Sequence, residues 1–554
     1  MSAREVNRRA FLARSAAVAA GGAAAAALPA FVGGAGSAAA APAPPVLKIP
    51  NVTVRTAALR DPTEATIAEA VNLIRRGRLT SLDLTYALLN RIWKYEPTYL
   101  AFNAIEGDPA IAAAKKQDRA RTGLLGGIPL CIKDNYYTKG VATTANSFIY
   151  QSFVPKYDAT SVARLKAAGG ILLGKGQMGP LATTRATLPN GVITTVNAWT
   201  PADPTVDPGG SSTGPACAVA GRMAVSSIGT QTGGSIVLPS NQQNLTGLKP
   251  TMGRTSIHGV IPLSYTRDHS GPLARDALDA AIMLAIMAGP DPADVRTLGL
   301  PAPADYITSA TPVRDSAGVR MRRPTKVGVP TDFLASTVPA DVVALRQAFL
   351  STLADIPGIT LVDVTYPDIW TLLTGTFNSA RLSERTEEML PFLQQDPKLL
   401  GVSSLSWMQG LFLSGDEWIT AQRSKHYLLR LILDGILATC DVVLQTNVVP
   451  FDIVGLPELG LPIGLHAVGA NPKVPVGAIL GGGPYEEDRL LEVAAAYQAV
   501  TIWHTQRPAD PATAATPKAG ASDTSRTAAA AAATPAARGK VVQLTAQQAL
   551  EQSA

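Results

Sequence analysis

The stretch GTQTGGSIVLP, residues 229–239, places Ser235 at the end of a glycine-rich turn. Such a turn exposes a hydroxyl group and gathers backbone N–H groups around it, as is typical of a nucleophile. A serine hydroxyl attacks a carbonyl only when a neighbouring base takes its proton. None of the five histidines lies within twenty residues of Ser235 along the chain. The stretch therefore indicates a serine nucleophile and leaves open which group accepts its proton.

Two further glycine-rich stretches suggest other chemistries, and neither is complete. GSSTG, residues 210–214, matches the G-x-S-x-G pattern of a hydrolase, but the PTVDPG before it is not the apolar strand that this motif needs. GGILLGKG, residues 169–176, nearly matches a phosphate-binding loop, but Gly176 stands where a serine or threonine hydroxyl must bind magnesium. Because ILLG also has the pattern of a buried strand, a nucleotide-binding protein is not favoured.

The composition gives no support for a nucleic-acid partner, a metal or a cofactor. The formal net charge is +6, and four arginines and one glutamate in the first 41 residues account for +3 of it. The rest of the chain shows no concentrated basic face with interleaved aromatic residues, which nucleic-acid binding requires. Cys131, Cys217 and Cys440 are too few for a disulfide framework, and no CxxC or Cys/His cluster indicates zinc.

The N-terminal segment has the pattern of an export signal. Arg8 and Arg9 are followed by a long, weakly apolar Ala/Gly stretch that ends in small residues, and this resembles a twin-arginine signal peptide over residues 1–41. We therefore expect a protein that is secreted or held in the cell envelope. Alanine and glycine are too weakly apolar for an anchor, and no other run of about 18 apolar residues predicts a membrane span. No membrane contact is expected after processing.

Helical and strand patterns alternate along most of the remaining chain. After a Pro/Val-rich linker over residues 42–56, two helices are predicted, the second capped at Thr80-Ser81, and GGIPLCIKDN predicts a buried strand. The alternation continues to residue 507 and predicts one large α/β domain, with a mixed or mostly parallel central sheet covered by helices on both faces. Residues 291–439 are predicted to form a helical cap or insert. The Ala/Thr/Pro-rich residues 508–554 are predicted to be disordered.

Several stretches together resemble the amidase signature hydrolases, from about residue 63 to about residue 497. They are TSLDLTYALLNRI, GIPLCIKDN, GGILLGKG, PGGSSTG, GTQTGGSIVLP, TGLKPTMGRTSIHGVIPLSYTRDHSGPLARDALDAA, GLPELGLPIGL and VPVGAILGGGPYEEDRLLEVA. The resemblance places the signature core at about residues 125–290. It implies an enzyme that hydrolyses amide C–N bonds through a Ser–Ser–Lys triad and an acyl-enzyme.

The resemblance also assigns the site residues. Ser235 is the nucleophile, Ser211, 24 residues before it, is the bridging serine rather than Ser212, and Lys133 is the base. The bond between Gly210 and Ser211 is cis in the family. The oxyanion hole is formed by the backbone N–H groups of Thr232, Gly233, Gly234 and Ser235.

A lysine acts as a base only in its neutral form. The ordinary lysine pKa is about 10.4, whereas a base at neutral pH needs a value of about 7–8. Lys133 follows the apolar residues PLCI, which would carry it into the interior, where desolvation destabilises the ammonium form. Asp134 comes next, and the alternation of a strand points it to the opposite side.

The residues after the nucleophile bear on the substrate. Relatives that act on carboxylate-bearing substrates place an arginine two or three residues after the nucleophile, where this chain has Val237 and Leu238. We therefore expect a neutral or hydrophobic amide, and the Ser-Ile-Val run is most similar to peptide amidases. Gln177 and Met178, in the altered loop KGQMGPLATTR, are predicted to line the substrate cleft. The alternatives are a glutaminase like the amidotransferase component that generates ammonia for aminoacyl-tRNA, and a non-catalytic binding homologue; the oligomeric state stays open.

Overall fold

The computed structural model describes residues 47–512 and 542–548, without the side chains of residues 376–380. The predicted signal peptide, residues 1–41, lies outside the described residues. The described α-helices are α1 Thr56–Arg60, α2 Ile67–Arg75, α3 Ser81–Tyr99, α4 Gly107–Ala120, α5 Thr160–Ala167, α6 Thr213–Ala220, α7 Val237–Gln242, α8 Ala277–Met287, α9 Tyr306–Ser309, α10 Ala340–Ala354, α11 Trp370–Gln395, α12 Ser404–Met408, α13 Gly415–Arg430, α14 Leu437–Thr439, α15 Val449–Val454 and α16 Glu487–Val500. Short 3₁₀ or π turns occupy Pro62–Glu64, Pro180–Ala182, Val295–Thr297, Pro397–Ser403, Gln409–Phe412, Leu431–Ile436 and Trp503–Thr505.

Local capping sets the starts of the first long helices. The Thr66 hydroxyl accepts the N–H of Glu69, whose carboxylate in turn accepts the Thr66 N–H, so a capping box opens α2. The Thr80 hydroxyl accepts the N–H of Asp83 at the start of α3, and this confirms the predicted cap.

Eleven of the described strands form one sheet in the order β1-β3-β2-β4-β6-β5-β12-β13-β11-β9-β10. The strands are β1 Phe102–Ile105, β2 Pro129–Lys133, β3 Ile171–Gly176, β4 Ser226–Gln231, β5 Thr246–Lys249, β6 His269–Ala274, β9 Thr325–Pro330, β10 Ile359–Val364, β11 Val442–Leu444, β12 Glu458–Val468 and β13 Asn471–Gly482, while β7 Val313–Asp315 and β8 Gly318–Arg320 pair separately. The pairs β3–β2, β2–β4, β11–β9 and β9–β10 are parallel, and the other neighbours are antiparallel.

The centre of the sheet is buried on both faces. Every residue of β2, β4 and β6 is buried, which requires cover above and below the sheet because successive side chains point to opposite faces. The predicted single α/β domain with a mixed sheet flanked by helices is confirmed. Since β2 and β4 are parallel neighbours, their carboxyl ends, Lys133 and Gln231, emerge at the same edge of the sheet.

The predicted linker and insert differ from the structure. Residues 47–55 of the linker pack on the domain, since Ile49 is fully buried and the Arg55 guanidinium pairs with the Glu69 carboxylate at 2.8 Å. Residues 291–439 are not wholly helical, because β9 and β10 extend the central sheet. Their sequences, TKVGVP and ITLVDV, contain the β-branched residues that favour strands. The helices α9 and α10 are interleaved with these strands, and the range is mainly helical from α11 onward.

Most of the C-terminal segment predicted to be disordered lies outside the described residues, but residues 542–548 pack on the domain. Within the described residues 542–548, the N–H of Leu544 donates to the Gly191 carbonyl at 2.8 Å, and the Val542 carbonyl accepts the Ile193 N–H at 2.9 Å. Leu544 is buried against the domain. An apolar side chain with two backbone hydrogen bonds is enough to hold this segment in place, although the surrounding sequence is low in large apolar residues.

The described residues also bear on the cysteines, membrane spans and metal sites considered in the sequence. Cys131, Cys217 and Cys440 are buried, free thiols. Among the described residues no helix combines the length and apolar character needed to cross a membrane. No cluster of at least three His, Cys, Asp or Glu side chains in the same part of the chain has the arrangement of a metal site.

One buried carboxylate joins helices that are far apart in sequence. Asp279, in α8, accepts the N–H groups of Ile67 at 2.7 Å and Ala68 at 3.1 Å in the first turn of α2. Asp279→Ala leaves both N–H groups buried without this acceptor, so the free energy of unfolding should fall by roughly 2–5 kcal/mol in a denaturant titration. The control is Asp305→Ala at the exposed cap of α9, where a loss of about 0.5–2 kcal/mol is expected. Equal losses of unfolding free energy for the two variants would contradict the conclusion that Asp279 stabilises the start of α2.

Candidate active site

Lys133 ends β2 with its amino group buried beside two hydroxyls. Its Nζ lies 2.8 Å from Ser211 Oγ and 2.8 Å from Thr230 Oγ1, and it donates to the Thr230 carbonyl at 3.3 Å. Asn135 donates from Nδ2 to the same Thr230 hydroxyl at 3.0 Å, which fixes that side chain. The sheet brings these groups together because β2 and β4 run parallel and in register.

The surroundings of Lys133 destabilise its charged form. The side chain is fully buried, and desolvation holds the pKa of Lys133 well below the usual lysine range, although the Asp268 carboxylate works in the opposite direction. Asp134 does not contribute, since it faces away and lies 3.4 Å from the ammonium of Lys175. The predicted orientation of Lys133 and Asp134 to opposite sides agrees with these contacts, and the burial of Lys133 disfavours its charged form.

Ser211 lies in the loop before α6, where the Gly210–Ser211 peptide bond is cis, as the resemblance implied. Gly210 is required there because a Cβ would lie 2.6 Å from Arg185 Cα. Ser211 is buried, and its hydroxyl is within hydrogen-bond distance of Lys133. The neighbouring Ser212 hydroxyl donates to the Thr230 carbonyl at 3.3 Å.

Ser235 lies in the turn between β4 and α7, and Gln231 holds that turn from within. The Gln231 side-chain oxygen accepts the N–H groups of Ile236 at 2.9 Å and Val237 at 3.1 Å. Its amide nitrogen donates to Asp452 at 2.9 Å and to Glu458 at 2.7 Å. One fully buried glutamine thus connects the residues after the nucleophile with two carboxylates.

Lys249 balances those two carboxylates. Its Nζ lies 3.2 Å from Glu458 Oε2 and 3.6 Å from Asp452 Oδ1, and all three side chains are fully buried. Burial and the nearby Asp452 carboxylate raise the pKa of Glu458 well above its usual range. The second Asp452 oxygen accepts the Gly234 N–H at 2.8 Å, so this network also fixes the turn directly before Ser235.

A cavity of about 330 Å³ opens in front of the nucleophile. Ser235, Thr232 and Gly233 line one side of it, and the Thr232 hydroxyl donates to the buried Asp268 carboxylate. The other lining residues are Ala182, Thr183, Leu238, Leu263, Arg267, Arg381, Arg385, Thr446, Asn447, Val448, Val449 and Ile479. None of the five histidines is among them.

Comparisons with known proteins identify the family to which the chain belongs. The family model described as Amidase matches residues 83–444. The chain belongs to the amidase family. It is 32% identical over 499 residues to the A subunit of glutamyl-tRNA(Gln) amidotransferase from Chloroflexus aurantiacus, covering 80% of this chain and 98% of that protein. It is 33% identical over 495 residues to the same protein of Roseiflexus castenholzii, covering 80% of this chain and 97% of that protein.

A solved structure extends the comparison to the fold. The native peptide amidase of Stenotrophomonas maltophilia matches with a TM-score of 0.68 and 27% identity, covering 81% of this chain and 99% of that one. The amidase family and these relatives make the chain a hydrolase of amide C–N bonds. The predicted family resemblance is confirmed.

Some residues predicted from the sequence lie away from the cavity. Gly234 is not available as an oxyanion donor, because its N–H is bound by Asp452. Val237 is fully buried against Val448 and Ile479, because the run after the nucleophile forms the short helix α7 rather than an extended wall. Of that pair only Leu238 lines the cavity.

The other two predicted substrate contacts are structural. The Gln177 side-chain oxygen accepts hydrogen bonds from Asn146 at 3.0 Å and Thr194 at 2.7 Å. Met178 is fully buried in an apolar cluster with Leu181. Neither lines the cavity, because the chain leaving β3 turns into the core at this point.

Sequence reasoning missed the three arginines of the cavity. Arg267 precedes β6, while Arg381 and Arg385 are four residues apart on α11 and so share one face of that helix. The i, i+4 spacing in RLSER was a visible signal, but nothing in the sequence shows that this face points at Ser235. An arginine directly after the nucleophile is absent, yet the cavity is rich in arginine.

The buried network behind the turn gives a stability prediction. Gln231→Glu places a third carboxyl beside Asp452 and Glu458, facing the single ammonium of Lys249, and should lower the free energy of unfolding by about 3–5 kcal/mol near neutral pH. The loss should shrink as the pH is lowered, because burial raises the folded-state pKa of the new carboxyl above its unfolded value and a protonated carboxyl can donate again. Denaturant titrations at two pH values measure this.

The matched control is Gln243→Glu, at a buried glutamine whose side-chain oxygen accepts the Ala198 N–H. We expect a smaller loss there, because no carboxylate is a hydrogen-bond partner of that side chain. Equal, pH-independent losses for the two variants would show that Gln231 is not held by acidic partners.

Proposed function

We propose that Ser235, Ser211 and Lys133 form a proton relay that hydrolyses amides through an acyl-enzyme. The observation that carries the proposal is the 2.8 Å separation of Lys133 Nζ and Ser211 Oγ, both buried, next to a cavity lined by Ser235. Ser235 passes its proton to Ser211, which passes one to neutral Lys133, while the Ser235 oxygen attacks the carbonyl carbon. The relay then returns a proton to the leaving amine as the C–N bond breaks, and water hydrolyses the ester.

The relay needs Lys133 in its neutral form, and its contacts suit that form. A neutral amine has one lone pair and two hydrogens, so Nζ can accept the Ser211 hydroxyl hydrogen and still donate to Thr230. Developing negative charge on the carbonyl oxygen would be met by the N–H groups of Thr232, Gly233 and Ser235, the residues of the predicted oxyanion hole that line the cavity. One such donor is typically worth about 2.7–4 kcal/mol in the transition state.

The amide proposed as substrate has an apolar part. Leu238, Leu263, Val448 and Ile479 give the cavity an apolar side, against which an alkyl or aryl group would pack. This supports the expectation of a hydrophobic substrate, which was based on Val237 and Leu238. It does not support a wholly neutral substrate, since three arginines line the same cavity.

A second candidate is hydrolysis of glutamine. The relatives that favour it are the glutamyl-tRNA(Gln) amidotransferase proteins, which match over 80% of this chain. Aminoacyl-tRNA is a cytoplasmic molecule, so the predicted export signal disfavours this candidate. Glutamine therefore belongs in the substrate panel, and ammonia release from glutamine alone would select it.

The relay predicts a specific pattern of lost activity. Ser235→Ala, Ser211→Ala and Lys133→Met should each lower kcat for an aryl amide by about 10³-fold or more, because members of a catalytic unit fail together. Ser212→Ala, one residue from the relay, should keep most of the activity. Steady-state amine release measures this, and full turnover by folded Ser235→Ala would show that another group is the nucleophile.

The pH dependence has a definite sign. Lys133 is active when neutral, so kcat/KM should be full above its folded pKa and fall as the pH drops through that value. Because burial lowers the pKa of Lys133, this acid limb should lie well below the usual lysine range. A limb in the ordinary lysine range, or an unchanged profile in Lys133→Met, would contradict the assignment.

We also propose that the protein is exported through the twin-arginine pathway. Arg8 and Arg9, followed by the Ala/Gly stretch, support this proposal. Replacing both residues (Arg8→Lys, Arg9→Lys) should retain the full-length chain in the cytoplasm, whereas the unaltered chain should appear, shortened, in the envelope or medium fraction. Arg4→Lys with Arg14→Lys is the control, because it leaves the pair intact. Equal export of both variants would contradict the pathway.

A further inference from the structure

Three guanidinium groups line the cavity that contains Ser235. Arg267 and Arg385 are fully buried, and Arg381 is almost so. They reach the cavity from two separate parts of the chain, the loop before β6 and the helix α11. Surface arginines reach solvent easily, so three buried ones around one small cavity are a built feature of the site.

Two of these groups lie directly at the nucleophile turn. A Cβ placed on Gly233, two residues before Ser235, would lie 3.8 Å from Arg381 Nη1 and 3.9 Å from Arg267 Nη2. The guanidinium groups therefore flank the residue that leads into the proposed oxyanion site. A substrate whose carbonyl lies at Ser235 would have its neighbouring atoms within reach of them.

Other guanidinium groups lie close to Arg381 and Arg385, and nearby carboxylates offset part of the positive charge. Burial lowers the pKa of all three arginines, and the neighbouring guanidinium groups lower the pKa of Arg381 and Arg385 further, that of Arg385 to about 10. Lys425, whose pKa burial lowers to about 8, adds to the positive charge near Arg267. An anion in the cavity would relieve this repulsion.

The acidic groups around the cluster interact with its charges and also accept hydrogen bonds from other donors. Asp268 accepts the N–H groups of Leu263 and Ser264, and Glu384 accepts the Ser264 hydroxyl. Asp452 accepts from Gln231 and Gly234 and lies near Lys249. These carboxylates moderate the positive charge but do not lie among the residues that line the cavity.

We propose that this cavity selects amides carrying a carboxylate, which Arg267, Arg381 and Arg385 bind while Ser235 attacks the amide carbonyl. The planar guanidinium group matches a carboxylate through paired N–H donors, and charge-assisted hydrogen bonds are the stronger kind. The inference rests on the proposed hydrolysis and adds its substrate class. A cavity of about 330 Å³ is small for a ligand site, so the amide is a short one.

Matched substrates test the charge without changing shape. One pair carries the carboxylate on the acyl side, the 4-nitroanilide of succinic acid against that of levulinic acid, in which a methyl ketone replaces the carboxylate. The other pair carries it on the amine side, 4-acetamidobenzoate against 4-acetamidoacetophenone. We expect one charged member to exceed its neutral partner at least about tenfold in kcat/KM, and the pair that does so identifies which side of the amide meets the arginines.

Variants connect that preference to the cluster. Arg381→Gln and Arg267→Gln should each lower the charged-to-neutral ratio of kcat/KM by about 10–100-fold, since a charged hydrogen-bond partner is removed. Arg423→Gln, at an exposed residue of α13, removes the same charge from the helical region and should leave the ratio unchanged. Succinate should also inhibit hydrolysis of the levulinic anilide by the unaltered enzyme competitively, whereas uncharged 1,4-butanediol should not, and this test requires no variant to fold.

The outcomes separate this inference from the proposed function. Neutral amides cleaved as fast as charged ones, with activity lost in Ser235→Ala and no inhibition by succinate, would overturn the carboxylate inference and leave the hydrolase intact. Activity that survives Ser235→Ala, or no turnover of any amide by the folded protein, would remove the proposed function and the inference with it. If the arginine variants lowered kcat/KM equally for charged and neutral substrates, the cluster would have a structural role and would not select the carboxylate.

Discussion

The burial of Lys133 is the constraint on which the rest of the site depends. Removing an ammonium group from water is costly, and burial between the Ser211 and Thr230 hydroxyls holds the pKa of Lys133 well below the usual lysine range. That placement requires β2 to end inside the protein, in parallel with β4 and covered on both faces. The same parallel pairing brings the turn after β4, and with it Ser235, to the edge where Lys133 emerges. The packing that buries β2 against β4 is therefore also the packing that the proposed role of Lys133 requires.

Charge is distributed differently on the two sides of the nucleophile turn. Behind the turn, Lys249 and Gln231 are enclosed with two carboxylates, and the hydrogen bonds between them fix the backbone. In front of it, arginines line a cavity that a substrate can enter. A satisfied buried network makes the turn rigid, as an oxyanion site requires, whereas like charges around a cavity give it affinity for an anion.

Sequence reasoning succeeded where chemistry is local and failed where it depends on long-range packing. The turn around Ser235, the strand ending at Lys133 and the family follow from short motifs, because each motif contains the residues that determine its own backbone. Gly234 was expected to donate to an oxyanion, but Asp452, more than two hundred residues later, takes that hydrogen bond. The arginines of α11 were missed for the same reason, since helical spacing shows which residues share a face but not what the face meets. The strands β9 and β10 were hidden within a segment that is otherwise mainly helical.

The most direct test is the identity of the residue that becomes acylated. The enzyme would be mixed with an activated aryl amide, quenched in acid within one turnover, digested and analysed by mass spectrometry. The proposed relay predicts an acyl group on Ser235 in the unaltered chain, and no acylated peptide in Lys133→Met under the same conditions. An acyl group on Ser211 or Ser212, or turnover without any covalent intermediate on Ser235, would contradict the mechanism.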